Sequence, residues 1–286
     1  MQRITLNDAV RFSGFGLFSA EPISLTIIPS NNQSGLGFQH KNTTIPAHIN
    51  NLSSLPVHPA FAKMSPRCTS ICNQQINIAT IEHVLSALTG LGVTDALIEI
   101  DSKNAQCEIP ILDGSSLEFV NAIEAVGTRE LDSTIVPIII TKTIHIEDGD
   151  SSITLEPADA ASYSYTLDYP DTAIENATVT WNGDADDYIE CIAIARTFCL
   201  KHEADTMQSA GMFAHLSTKD MLVIGDAGPI DNTLRHKHEC ALHKLLDLIG
   251  DLTLVGQPLQ AKVIAIKSGH AMAHRAARAV VEQNQH

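Results

Sequence analysis

Polar side chains recur every four residues along one helix-like stretch of the chain: His243-Lys244-Leu245-Leu246-Asp247-Leu248-Ile249-Gly250-Asp251. On a helix, residues four apart lie one turn above another, so His243, Asp247 and Asp251 share a face while the apolar residues take the others. Such a row has two interpretations. It is an ordinary polar face in water, as many i, i+4 pairs are, or it binds a metal ion, because an imidazole and a carboxylate one turn apart can both reach Zn²⁺.

The composition is that of a soluble globular protein with ample core material: of 286 residues, 44% are hydrophobic and 18% are charged. This length allows two modest domains or one large domain. The net charge of -15 argues against nucleic acid or an anionic membrane as the main partner, because no basic surplus exists to neutralise phosphates. A local basic pocket for one phosphate group is still compatible with this charge.

The sequence predicts a cytoplasmic location without stable membrane insertion. Met1 to Leu6 alternate as a strand does and run into a turn at Ser13-Gly14, which is not the pattern of a signal peptide. The longest apolar runs, such as residues 135–140, are too short to span a bilayer. The six cysteines form no CxxC pair, so in this setting we expect reduced thiols.

The two halves of the chain repeat one order of predicted elements. The first half has a helix at 80–91, a strand at 96–100, an Asp-Gly turn and a helix at 116–125; the second has a helix at 239–254, a strand at 261–266, a Ser-Gly turn and a helix at 271–283. Short strands precede each unit. We therefore predict an α+β protein of two similar domains, each a mostly antiparallel sheet layered with helices.

The charged segment from Thr128 to Ser133 is the best candidate for the boundary between these domains. It gives a first domain at 1–130 and a second at 134–286, which carries an insert at about 198–225. If the two helical layers pack together, His83 approaches His243 from the opposite half.

His83 and Glu82 lie off the apolar stripe of the first predicted helix. A histidine on a polar helix face is usually solvated, and that interpretation is open here. Together with His243 and Asp247, however, His83 completes a three-ligand set of the kind that catalytic zinc uses. Glu82 could then act as the general base. Asp251 could orient a further group, and His270, on a glycine turn, is the candidate.

Five segments, in this order and spanning almost the whole chain, resemble the zinc-dependent UDP-3-O-acyl-N-acetylglucosamine deacetylases of lipid A biosynthesis. They are Thr80-Ile81-Glu82-His83-Val84-Leu85-Ser86-Ala87-Leu88, Ile109-Pro110-Ile111-Leu112-Asp113-Gly114-Ser115, Ala195-Arg196-Thr197-Phe198, the His243–Asp251 stretch, and Lys267-Ser268-Gly269-His270. Each segment is a weak signal alone. Five in the family's order are a strong one.

The resemblance implies an active site between the two helical layers, and it implies a role for each matching residue. The metal ligands would be His83, His243 and Asp247, with Zn²⁺ as the cofactor. Glu82 would activate the attacking water, and His270, supported by Asp251, would stabilise the oxyanion and protonate the leaving amine. Thr197 would donate a hydrogen bond to the oxyanion. Substrate contacts would come from Lys244, Phe198 and Ser217, the last two in the region that takes the acyl chain.

The partner implied is a small molecule, a UDP-linked acylated amino sugar, and we expect a monomer. The chain departs from the family pattern where substrate walls are expected. Phe18 stands where a histidine is usual, Cys199 follows Thr197-Phe198 in place of glycine, and Leu242 replaces an arginine. The insert reads His215-Leu216 where a glycine-rich pattern is common.

Two other functions are compatible with these residues. The substituted positions favour a diverged paralogue that hydrolyses another N-acylated amino sugar or related amide. A non-catalytic, metal-stabilised binding protein is the alternative from a different class. Glu82, Thr197 and His270 argue against it, because a structural zinc site needs none of them.

Overall fold

The computed structural model describes residues 1–218 and 221–284. In each half of the chain, short strands precede and alternate with helices. The first half contains β1 (Gln2–Leu6), β2 (Val10–Phe15), β3 (Pro22–Pro29), β4 (Leu36–His40), β5 (Thr43–Pro46), β6 (Ser70–Cys72), β7 (Asn77–Ala79), α1 (Glu82–Gly90), β8 (Ala96–Asp101), β9 (Gln106–Glu108), α2 (Leu117–Val126) and β10 (Thr128–Thr134).

The second half contains the remaining elements: β11 (Ile138–Ile139), β12 (Ile144–Asp148), β13 (Ser151–Glu156), β14 (Ser162–Leu167), β15 (Ala177–Trp181), α3 (Ala185–Asp187), β16 (Phe198–Leu200), α4 (Lys201–Ser209), β17 (Leu222–Gly225), β18 (Gly228–Pro229), α5 (Glu239–Leu252), β19 (Leu259–Gln260), β20 (Lys262–Ile266) and α6 (His270–Gln283). The last helix begins at His270, earlier than predicted, because Gly269 takes the extended conformation of an N-cap. Among the residues that the structure describes, no helix has the length and apolar character needed to cross a membrane.

The two halves contain the same five-stranded sheet. Its strand order is β2-β3-β8-β4-β5 in the first half and β12-β13-β20-β14-β15 in the second. In both sheets the third and fourth strands run parallel, and the other neighbours run antiparallel. A three-stranded sheet accompanies each, β6-β7-β9 and β16-β17-β18. The predicted α+β class and the repeat of mostly antiparallel sheets layered with helices are confirmed.

The charged segment that we predicted as the domain boundary is strand β10, which pairs antiparallel with β1 at the start of the chain. The division into 1–130 and 134–286 stays a prediction. In the predicted insert at 198–225, the described residues form β16, α4 and β17. Residues 219–220 of that insert, and 285–286 at the end of the second predicted domain, lie outside the described residues.

Helices α1 and α5 pack against each other and form the layer between the two halves. In α5, Lys244 is the residue that stays partly exposed while the others are buried, and α1 is buried from Glu82 to Leu88. Helix α5 also contacts α6 and strand β14. A helix enclosed on all sides must satisfy its polar side chains within the protein, so the polar residues of α1 and α5 face one another.

The backbones of these two helices come very close together at Gly250. A Cβ atom built on Gly250 would overlap the backbone of Glu82, its carbonyl oxygen first. Because Glu82 begins α1, this contact sets the position of the first turn of that helix against α5. A residue without a side chain is needed at such a backbone contact.

We expect Gly250→Ala to lower the free energy of unfolding by about 1–3 kcal/mol, because the added methyl group forces two close-packed helices apart. Urea unfolding measures the loss. Gly37→Ala is the matched control, since the nearest atom to a Cβ at Gly37 lies 3.6 Å away, an ordinary contact. Equal stabilities for the two variants would contradict the assignment of Gly250 as the tight contact.

Candidate active site and metal centre

The predicted metal ligands come from the two central helices. His83 lies in the first turn of α1, and His243 and Asp247 lie one turn apart on α5; their exposed fractions are 5%, 2% and 6%. The neighbouring Glu82 is buried as well. The interpretation of these positions as polar faces in water is therefore wrong, because the second face of each helix packs against the other helix.

The three side chains converge on one point. One candidate ligand atom from each lies within 4.8 Å of the other two, and Asp247 Oδ1 is 3.5 Å from His243 Nε2 and 3.7 Å from His83 Nε2. His243 Nδ1 lies 3.1 Å from the carbonyl oxygen of Ala195. We assign the proton to Nδ1, which donates there and leaves the Nε2 lone pair facing the cluster.

These groups fit a divalent metal ion. Burial lowers the pKa of His243 to about 3, so the ring is uncharged at pH 7 and its Nε2 lone pair is free to bind a metal ion. Burial works against the charge of Asp247, but the adjacent Lys244 ammonium, which donates to it, holds its pKa well below its usual range. Two imidazoles and one carboxylate are a donor set that Zn²⁺ takes, with a position left for water or substrate. The cluster could therefore hold a metal.

Lys244 lies at the edge of this cluster. Its Nζ donates to Asp247 Oδ2 at 2.8 Å, and the same nitrogen lies 5.9 Å from the centre of the Phe198 ring. Burial works against the ammonium charge, but Asp247 raises the pKa of Lys244, so the side chain is a cation at neutral pH. The candidate metal site, formed by His83, His243 and Asp247, thus has a fixed positive charge on the side that faces the cavity described below.

The Glu82 carboxylate and the His270 imidazole face each other beside the candidate metal site. Glu82 Oε1 lies 3.9 Å from His270 Nε2, and His270 Nδ1 lies 2.8 Å from Asp251 Oδ2. Burial raises the pKa of Glu82 to about 7. For His270 burial opposes the charge, but Asp251 outweighs it and raises the pKa to about 9. The pair therefore contains a base that can take a proton and an imidazolium that can give one.

Thr69, which the sequence did not point to, contacts Glu82 and also Asp251, the hydrogen-bond partner of His270. Its backbone N–H donates to Glu82 Oε2 at 3.0 Å, and its hydroxyl donates to Asp251 Oδ1. The same hydroxyl oxygen lies 2.7 Å from Nε2 of His274, which is buried. The residue precedes the short strand β6, and no periodic pattern in the sequence marks it.

Thr197 lies on a loop that is fixed by hydrogen bonds. Its N–H donates to the carbonyl oxygen of Gly114 at 2.7 Å. The preceding Arg196 is buried and forms an ion pair with Glu239, at 2.7 Å from Nε to Oε1, in the first turn of α5. Sequence reasoning missed Glu239. This ion pair ties the loop to the helix that carries His243 and Asp247.

A cavity of about 330 Å³ opens next to the candidate metal site. Thr197, Phe198, Lys244 and Ser217 all line it, so the predicted substrate-contacting residues share one space. Phe198 lies between this cavity, which it lines, and the candidate metal ligands, since its ring centre is 6.3 Å from that of His243. Much of the remaining lining is apolar, as a site for a hydrocarbon chain requires.

Three aromatic rings from separate parts of the chain meet at this cavity. Phe18 lies 5.5 Å from Phe61 and 5.7 Å from Phe213 between ring centres, and all three line the cavity. Two further departures from the family pattern, Cys199 and Leu216, line it as well.

The other two departures are elsewhere. His215 Nε2 lies 3.2 Å from the carbonyl oxygen of Gly16 and so joins the insert to the loop after β2. Leu242 is buried within α5, and it is not among the residues that line the cavity.

Comparison with known proteins gives one consistent family. Residues 3–282 match the family described as LpxC: UDP-3-O-acyl N-acetylglycosamine deacetylase. Three similar proteins are each named UDP-3-O-acyl-N-acetylglucosamine deacetylase. The one from Leptospira biflexa is 33% identical over 99% of this chain and 91% of its own length. Those from Nautilia profundicola and Cellvibrio japonicus are each 31% identical over 99% of this chain and cover 93% and 91% of their own lengths. The chain therefore belongs to the UDP-3-O-acyl N-acetylglycosamine deacetylase family.

Proposed function

We propose that this protein is a zinc-dependent amidase that hydrolyses the acetamide of UDP-3-O-acyl-N-acetylglucosamine, a step of lipid A biosynthesis. One observation carries the proposal: the facing Glu82 and His270 side chains and the three candidate metal ligands are buried together at the α1–α5 contact, beside a cavity with many apolar side chains in its lining. Amide hydrolysis needs a base, an electrophile for the carbonyl oxygen and an acid for a poor leaving group. We infer the substrate from the names of the similar proteins.

A bound Zn²⁺ would polarise the acetamide carbonyl and lower the pKa of water. Glu82 accepts a proton from the attacking water, whose oxygen bonds to the carbonyl carbon. His270, held by Asp251, donates from Nε2 to the sugar nitrogen as the C–N bond breaks. The nitrogen gains one proton from His270 and one from the protonated Glu82, and the hydroxyl proton left on the new carboxyl group passes to His270. The products are acetate and the protonated amine, so the net reaction moves both protons of the water to nitrogen. The 3.9 Å between Glu82 Oε1 and His270 Nε2 is short enough for the proposed base and acid to reach neighbouring atoms of one bound amide.

The remaining residues act on the substrate. The Thr197 hydroxyl donates to the oxyanion that forms from the carbonyl, and the Lys244 ammonium adds a positive charge nearby. The acyl chain occupies the cavity behind Phe198, and Ser217 contacts it from the insert. The six cysteines of the chain are free thiols, which together with a nucleotide-linked substrate supports a cytoplasmic location. A monomer stays our prediction.

The second candidate function is the diverged paralogue, which acts on another N-acylated amino sugar. Phe18, Cys199 and Leu216 favour it, because all three differ from the usual family pattern and all three line the cavity. A non-catalytic zinc protein has less support, since a buried base and a buried imidazolium lie beside the metal cluster.

Release of free amine from UDP-3-O-acyl-N-acetylglucosamine tests the proposal, measured in parallel on zinc-loaded and chelated protein. Release that depends on the metal supports both reaction and substrate. If protein that demonstrably holds one metal per chain releases no amine, the substrate assignment fails. A panel of other N-acetylated sugars then tests the paralogue.

We expect a bell-shaped dependence of kcat/KM on pH. The base works deprotonated, so activity is lost as pH falls and Glu82 takes up a proton. The acid works protonated, so activity is lost as pH rises through the pKa of His270, which is raised to about 9. In His270→Gln, the decline at high pH should disappear while the decline at low pH stays. An unchanged alkaline limb in that variant would rule out His270 as the acid.

A further inference from the structure

His274 is a buried histidine that the proposed mechanism does not use. It lies on α6, one turn after His270, and is 6% exposed. We propose that Thr69 and His274 are positioning residues for the reaction: a chain of hydrogen bonds from His274 through Thr69 to Asp251 fixes the general acid, while the backbone of Thr69 fixes the general base. The proposal rests on the proposed function for its kinetic consequences.

The chemistry of the partners sets the direction of each bond in this chain. Carboxylate oxygens accept hydrogen bonds, so the Thr69 hydroxyl proton points to Asp251 Oδ1. The Thr69 oxygen then has only lone pairs left for His274, 2.7 Å away. His274 must therefore donate from Nε2–H. At the other end, Asp251 Oδ2 accepts from His270 Nδ1 at 2.8 Å, which leaves the His270 Nε2–H for the substrate.

His274 is held in the form that this chain needs. Burial lowers its pKa to about 4, so the ring is neutral at working pH and carries one proton. The charged groups that act on it are Asp251, His270 and Arg278. His274 also lines a separate cavity of about 120 Å³, together with residues 53–57, 61–62, 64–68 and 70, so a substitution there has room to be accommodated.

Thr69 connects groups that are far apart in sequence. Its N–H reaches Glu82 Oε2 at 3.0 Å in the first half, and its hydroxyl reaches Asp251 on α5 in the second half. Thr69 therefore holds two carboxylates, that of Glu82, the proposed base, and that of Asp251, the partner of the proposed acid His270. Loss of the hydroxyl frees Asp251 and His270 to rotate while the bond to Glu82, a backbone bond, is kept. The hydroxyl therefore acts on the acid alone.

Thr69→Val removes the hydroxyl and keeps the shape. We expect kcat to fall about 10- to 100-fold, as is typical when a partner that orients a catalytic group is lost, with KM changed by less than about threefold. Thr69→Ser restores the donor and should recover most of the rate. Metal content should stay at the wild-type value in both, because neither variant touches a ligand. A wild-type kcat in Thr69→Val would overturn the proposal.

His274→Gln and His274→Leu form the second matched pair. Glutamine places an N–H donor where His274 Nε2 lies, and leucine fills the space without one. We expect the glutamine variant to keep most of the rate and the leucine variant to lose about tenfold or more. Equal losses in both variants would mean that His274 contributes packing only.

A spectroscopic measurement separates this proposal from the proposed function. In ¹⁵N-labelled zinc protein, the ring of His274 should be the Nε2–H tautomer, and its proton should be protected from exchange by the bond to Thr69. Thr69→Val should abolish that protection. If the wild-type protein releases no amine while His274 shows this signature, the proposed function fails and the hydrogen-bond chain stands. The Nδ1–H tautomer in the wild type would overturn the chain itself.

Discussion

Replacing Glu82 by glutamine is expected to reduce kcat about 10²- to 10⁴-fold while the metal stays bound, because a general base contributes on this order. Glutamine has the same size and still accepts the Thr69 N–H on its side-chain oxygen, so the local structure is kept. What it cannot do is take a proton. The carboxylate is suited to that task since burial raises its pKa to about 7, close to the pH at which it works.

The measurement is kcat and KM on the acylated UDP-sugar, with the metal content of each preparation determined in parallel. Glu99→Gln is the matched control, since Glu99 is exposed on strand β8 and should leave the rate unaltered. A Glu82→Gln enzyme that keeps its metal and turns over at nearly the wild-type rate would remove Glu82 from its role. A fall in rate and in metal content together would instead make Glu82 a part of the metal site.

The sequence predicted those parts of the site that repeat with a regular period. His243, Asp247 and Asp251 are four residues apart on one helix, and the period of 3.6 residues puts them on one face whatever surrounds it. The order of helices and strands in the two halves likewise follows from local patterns, and the identical strand orders of the two large sheets bear it out.

The burial of α1 could not be predicted in the same way. Its apolar stripe indicates a single buried face, and by that pattern Glu82 and His83 face water. In the structure α1 is enclosed because α5 covers its other face, with Gly250 against the Glu82 backbone. That contact joins residues more than 160 positions apart in the sequence, and the hydrophobic pattern within α1 cannot predict it.

Contacts made by single residues were missed for a related reason. Thr69 lies outside any helix and belongs to no repeating pattern, yet it bonds to Glu82, Asp251 and His274. Glu239 begins α5 as one acidic residue among several of the chain, and only the folded loop shows it paired with Arg196. Such residues are recognised by what reaches them from the other half of the fold.

Replacing His83 by alanine is expected to abolish metal binding and activity together. The change leaves His243 and Asp247 as ligands, and two donors on one helix do not make the three-ligand set that holds catalytic zinc. Metal analysis should fall from about one ion per chain towards none at micromolar protein, since a site without a third ligand loses most of its affinity. His145→Ala is the control, because His145 lies exposed on strand β12 and is not one of the three candidate ligands.

Thermal unfolding gives an independent measure of the same site. A metal that binds only the folded state stabilises it by RT ln(1 + [L]/Kd), or about 4 kcal/mol when the free metal exceeds Kd a thousandfold. A chelator should therefore lower the Tm of the wild type and of His145→Ala, but leave that of His83→Ala where it is. The comparison does not depend on activity, so it holds even if the enzyme prefers another amide. A chelator-induced fall in Tm of equal size in His83→Ala would place the metal elsewhere in the chain and remove His83 from the ligand set.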